Sequence, residues 1–151
     1  MSAFVLDASV AAAWLFDDET TPRADAALTR LEAGGALVPQ HWQLEVRNAL
    51  LIAERRGRIA ADEVNERLIN LRELLVSTDT TPDLEAAFAL ARAHGLTFYD
   101  ALYLELAQRR HAGYCPRPGR RHRRNSAALM RALHAATTAA AVTDRGEDPV
   151  P

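Results

Sequence analysis

The chain has 151 residues, 48% hydrophobic and 25% charged, which suits one globular domain with a single core and is short for two. The apolar runs are too brief for a membrane span, and the N-terminus lacks the basic flank and cleavage site of a secretion signal, so a cytoplasmic protein is expected. The single cysteine, Cys115, excludes an internal disulfide and has no Cys or His partners at zinc spacing.

In chain order, Ala3-Phe4-Val5-Leu6 is an apolar run ending at Asp7, and an Ala-rich segment opened by Ser9 runs to Phe16, a pattern that predicts a buried strand leading directly into a helix. Ala26, Ala27, Leu28 and Leu31 keep helical spacing between Pro22 and Glu32, Gly34-Gly35 stops them, and Ala36-Leu37-Val38 predicts a second strand before Pro39. Trp42 to Arg56 is an amphipathic helix carrying the apolar residues Leu44, Ala49, Leu51 and Ile52; Glu45 and Asn48 share one of its faces. A helix from Ala60 to Leu74 follows, with Leu68, Leu71 and Leu75 on its apolar side, then a strand over Leu75-Val76-Ser77-Thr78. Thr81-Pro82 introduces a helix from Asp83 to His94, closed by Gly95, and Asp100 heads another from Ala101 to Arg110, where the helix dipole favours a carboxylate. Helices alternating with short apolar strands predict an α/β fold around a short, mostly parallel sheet.

Beyond Arg110 the periodicity is lost. Tyr114 to Arg124 holds two prolines and a dense run of arginines and is expected to be irregular; Asn125 to Ala141 predicts one weak Ala-rich helix, and residues 143–151 a loose tail. Charge changes with it: residues 1–108 carry 9 Arg against 17 Asp and Glu, residues 109–151 carry 9 Arg against Asp144, Glu147 and Asp148. All the basic residues are Arg and none is Lys, while Ala is abundant, as a GC-rich coding sequence tends to produce.

Three acids occupy special places: Asp7 after a buried strand, Glu45 near the start of an amphipathic helix, and Asp100 at the mouth of another. Ligands of a parallel α/β sheet bind at the strand carboxyl ends, where such acids can converge. Converging carboxylates need a cation, and hard oxygen ligands suit Mg²⁺ or Mn²⁺, which makes phosphodiester hydrolysis the natural reaction class. Spacing alone does not separate this reading from helix capping.

The segments around these acids are more specific. Phe4-Val5-Leu6-Asp7-Ala8-Ser9-Val10, Pro39-Gln40-His41-Trp42-Gln43-Leu44-Glu45-Val46-Arg47-Asn48-Ala49-Leu50 and Gly95-Leu96-Thr97-Phe98-Tyr99-Asp100-Ala101-Leu102-Tyr103 resemble, in order and spacing, the three signature segments of PIN-domain toxins of the VapC type. The resemblance covers roughly residues 1–112. It implies a three-layer α/β/α sandwich, with residues 113–151 an atypical Arg- and Ala-rich tail. It also implies that Asp7, Glu45 and Asp100 hold one or two Mg²⁺ or Mn²⁺ ions for RNA cleavage, with Ser9, Asn48 and Thr97 in support. Ser9 would hydrogen-bond a carboxylate or a water, or equally cap its helix; Asn48 would orient Glu45 or simply be solvated. Tyr99 and Trp42 are read as core residues rather than base-stacking platforms, and Asp17, Asp18 and Glu19 as a solvated helix end. A cognate antitoxin and a homodimer are the partners the resemblance implies.

One family feature is missing. A fourth acid, followed by a last helix and strand, normally comes shortly after the Asp100 helix, whereas no acidic residue lies between Glu105 and Asp144 here. GC-rich codons chosen for Cys115 to Asn125 and read one base over give Ala-Pro-Ala-Leu-Asp-Ala-Asp-Ile-Ala-Ala, which resembles the missing segment; a shift of frame from about Tyr114 is therefore permitted. Besides a ribonuclease toxin, the sequence leaves open a catalytically inactive PIN-like remnant that binds only an antitoxin or RNA. It also leaves open an RNA-binding protein using Arg117 to Arg124; a general phosphatase has no motif of its own.

Overall fold

The computed structural model describes residues 4–16 and 22–115, without the side chains of Arg23, Tyr114 and Cys115. The element order is β1 (Phe4–Leu6), α1 (Ala8–Trp14), α2 (Pro22–Gly34), β2 (Ala36–Pro39), α3 (Trp42–Arg55), α4 (Ala61–Glu73), β3 (Val76–Asp79), α5 (Leu84–His94), α6 (Phe98–Arg109) and β4 (Gly113–Cys115). The strands form one parallel sheet in the order β3-β2-β1-β4, the expected α/β sandwich. The Asp17 cluster, the arginine stretch Arg117 to Arg124 and the Ala-rich helix expected from Asn125 all lie outside the described residues.

β1 is an unbroken apolar run because it is the inner strand between β2 and β4, and its three residues are buried. β2 enters from α2 through Gly35, whose φ of +71° suits glycine and whose missing side chain matters as well. A Cβ there would stand 3.0 Å from the Leu75 carbonyl, which accepts the Ala36 amide. Glycine at this position therefore lets the β2–β3 pairing begin. Gly95 closes α5 in the left-handed conformation, φ +63°, with its amide donating to Ala91.

The core draws on both strands and helices. Trp42, Val46, Leu50 and Ala53 are the residues of α3 turned inward, at the i, i+4 and i+3 steps of one helical face. Leu44, Leu51 and Ile52, apolar in the sequence reading, are exposed instead, as is Leu75 beyond α4, while Leu71 is buried. The indole of Trp14 donates to the Ala24 carbonyl at 2.8 Å and ties α1 to α2. α6 packs on β1, β2 and β4, and α5 packs on α6.

Two expectations are corrected. Irregular chain was expected from Tyr114, yet Gly113–Cys115 is a strand whose register pairs Phe4 with Gly113, Val5 with Tyr114 and Leu6 with Cys115. Three residues are too few to show a period in sequence, and they become a strand through pairing with β1. The helix that carries Asp100 begins at Phe98 rather than Ala101, because the Thr97 hydroxyl accepts the Asp100 amide at 3.1 Å and caps it.

Candidate active site

β1 ends at Leu6, and Asp7 turns the chain into α1. Its carboxylate accepts the Ser9 amide at 2.7 Å and the Ser9 hydroxyl at 2.5 Å, so Asp7, not Ser9, caps α1. The Ser9 side chain bonds a carboxylate, one of the two roles the sequence allowed it. Glu45 stands in the first turn of α3, where its backbone is set by the buried Trp42 and Val46 on either side. Asp100 lies in the first turn of α6, on the turn that Thr97 caps. Asn48 is exposed one turn beyond Glu45, and no hydrogen bond joins the two among the described residues.

These three acids come from separate segments and act on one another. Burial pushes the Glu45 carboxyl above the usual carboxylate range; the Asp7 and Asp100 charges push the same way, and a hydrogen bond from Tyr103 opposes them. That bond runs from the Tyr103 hydroxyl to Glu45 Oε2 at 2.5 Å. The same hydroxyl accepts the Ala8 amide at 3.4 Å. The Tyr103 ring is only 1% exposed, and burial together with the Asp7 and Glu45 charges raises its phenol, which stays protonated.

His41 completes the cluster. Its Nε2 is buried, makes no hydrogen bond among the described residues, and lies 3.6 Å from Glu45 Oε2, beyond hydrogen-bond range. Its ring meets Tyr103 edge-on at 5.0 Å and Tyr99 at 5.3 Å. Burial lowers the His41 pKa, and the opposing pull of Asp7 and Asp100 does not reverse it. Near neutral pH His41 is therefore an uncharged neighbour of Glu45 rather than its counter-ion.

The sequence reading gave neither Tyr103 nor His41 a role. The available signal was spacing: Tyr103 is three residues after Asp100 on α6, and His41 four residues before Glu45. Trp42 is fully buried, as expected, but Tyr99 is 61% exposed, which corrects its reading as a core residue. Its ring stands at the first turn of α6 beside Asp100 and leans on His41 from outside.

Chemically, the arrangement gathers hard oxygen donors at the carboxyl end of β1 and the first turns of α3 and α6. Among the described residues no three His, Cys, Asp or Glu side chains are near enough together to form a ready metal cage. No described helix is long and apolar enough to cross a membrane.

A PIN domain match spans residues 4–114. Over 108 residues the chain is 34% identical to Ribonuclease VapC3 of Pyrobaculum aerophilum, a span covering 70% of this chain and 81% of that protein. With a match over well over half its length and a relative of that identity and coverage, the chain belongs to the PIN-domain family and is a relative of the VapC proteins within it.

Proposed function

We propose that the chain is a metal-dependent endoribonuclease, the toxin of a toxin–antitoxin pair, in which Asp7, Glu45 and Asp100 hold Mg²⁺ or Mn²⁺ and hydrolysis of an RNA phosphodiester takes place beside them. The observation that supports this reading is the link between the three acid-bearing segments: the Tyr103 hydroxyl on α6, the helix of Asp100, donates to Glu45 and accepts the amide of Ala8 beside Asp7. The relative named Ribonuclease VapC3 supports the choice of RNA.

The donor set fits such an ion. Mg²⁺ keeps several of its waters and takes one or two carboxylates together with substrate phosphate, so an open group of acids suits it better than a closed cage would. A raised carboxyl such as that of Glu45 is what a cation would bring back down. When bound, the cation supplies positive charge for the phosphate and lowers the pKa of water at the site. The chain's own residues do the rest. Ser9 fixes one oxygen of Asp7, Thr97 anchors the turn that carries Asp100, and the exposed Tyr99 ring offers a face on which an unpaired base can stack. That ring favours single-stranded or looped RNA over a small phosphate ester. Asn48 is assigned to the rim of the site. The functional domain is taken to be residues 1–112, with an antitoxin and a second copy of the chain as protein partners.

The test is cleavage of a mixed RNA pool by the purified chain with Mg²⁺ or Mn²⁺. Asp7→Asn should lower the rate about 10³-fold or more, since metal-assisted charge stabilisation is worth several kcal/mol. EDTA should do the same. A second reading rests on the absence of any acid between Glu105 and Asp144: an inactive remnant that retains only binding. A folded chain that cleaves no RNA would establish it.

A further inference from the structure

The hydroxyl of Tyr103 touches two of the three segments that carry the acids. It donates its single proton to Glu45 Oε2 at 2.5 Å, and its lone pair takes the Ala8 amide at 3.4 Å. Ala8 is the first residue of α1, so its amide belongs to the helix's first-turn donors that have no partner within the helix. The residue before it, Asp7, caps that same turn. The third segment is Tyr103's own helix, α6, whose first turn holds Asp100.

We propose that Tyr103 is a positioning residue for the carboxylate set: its hydroxyl fixes Glu45 against the turn that carries Asp7, so that the acids share one geometry before a cation arrives. The inference rests on the metal-site reading above and deepens it. Glu45 needs such a partner more than a buried residue would, because its side chain is 43% exposed and has three freely rotating bonds. Tyr103 can serve because its ring is locked, sealed in the core and met edge-on by His41. With Oε2 accepting the Tyr103 hydroxyl, Oε1 of Glu45 is left for a cation. The linkage is long-range, 58 residues from Tyr103 to Glu45 and 95 to Ala8, so it is a property of the fold and not of any one helix.

The test is the affinity of the full, metal-free chain for Mn²⁺, read from the electron-spin resonance signal of the free ion without any turnover. Tyr103→Phe removes the oxygen and keeps the buried ring. It should weaken Mn²⁺ binding roughly tenfold or more, in the range found for groups that orient a metal ligand, while circular dichroism shows the fold intact. If the wild type binds Mn²⁺ in an Asp7-dependent way and folded Tyr103→Phe binds it equally well, this inference fails and the metal site stands. If the wild type binds none, both fail. Should Tyr103→Phe not fold, proton resonance on the wild type decides instead. A hydroxyl proton held by Glu45 should appear far downfield and move in Glu45→Gln; a proton unaffected by that change overturns the proposal.

Discussion

The protein brings acids together in two places and treats them in opposite ways. At the end of β3, Asp79 is 6% exposed, and on α6 Glu105 is 3% exposed, yet both have cations supplied by the chain. Arg109 reaches Glu105 Oε1 at 2.5 Å and Asp79 Oδ2 at 2.7 Å, and Arg110 adds a bond to Asp79 Oδ1 at 3.0 Å. The Arg109 hydrogen bond holds the Asp79 carboxyl below the usual carboxylate range despite its burial. At the other place, burial and the charges of Asp7 and Asp100 all drive Glu45 upward, and the groups acting on it include Tyr103 but no arginine. Desolvated acids are costly unless paired. One cluster is thus completed by the chain's own arginines, which tie the end of β3 to α6; the other is the cluster for which a cation from solution is proposed.

The largest expected effect breaks the first cluster. Arg109→Ala leaves two buried carboxylates short of their main partner and should cost about 3 kcal/mol, a fall in melting temperature of roughly 10 °C. The pH dependence carries a sign. Asp79 is depressed in the folded state, so its contribution is present above the ordinary carboxylate pKa and is lost as the pH falls through the folded value. In Arg109→Ala that acid-side loss should shrink, which a melting series from neutral to acidic pH would reveal.

A smaller effect sharpens what the second cluster faces. Tyr99→Ala, assayed with a single-stranded oligonucleotide under non-cleaving conditions, should weaken binding by about 1–3 kcal/mol, on the order of tenfold in Kd. Tyr99→Phe should retain it. Equal binding by all three proteins would return Tyr99 to an ordinary exposed aromatic.

Much of this was legible in sequence, for physical reasons that differ by element. β1 and β2 announce themselves as short apolar runs between breakers, and the three acids stand where a strand end or a first helical turn fixes them. What escaped was tertiary. β4 is a strand only because β1 pairs with it. The buried face of α3 falls on Val46 and Leu50 rather than Leu44 and Leu51, since α1 and α4 pack on α3 and choose the face, and the helix offers apolar residues on both. Tyr103 lies in the middle of an apolar run and reads as core, which its ring is; only the folded chain shows where the hydroxyl points.

The smallest effect tests the strain at Glu45. Its folded-state pKa is raised, so the ionised form weakens the fold: stability is greatest below the unfolded carboxylate pKa and is lost as the pH rises through the folded value. Glu45→Gln in the metal-free chain should therefore raise the melting temperature at neutral pH by about 2 °C, modest because the side chain is partly solvated. The gain should vanish near pH 4.

The most direct measurement asks whether the second cluster takes a cation from solution: the melting temperature of the metal-free chain with and without excess Mn²⁺, for the wild type, Asp7→Asn and Asp79→Asn. At about a hundredfold excess over Kd a bound ion adds about 2.7 kcal/mol, or roughly 5–10 °C. That rise is expected in the wild type and in Asp79→Asn, above a lower starting point in the latter, and its loss in Asp7→Asn. A wild-type chain indifferent to Mn²⁺, or a rise that survives Asp7→Asn, would contradict the proposed metal site.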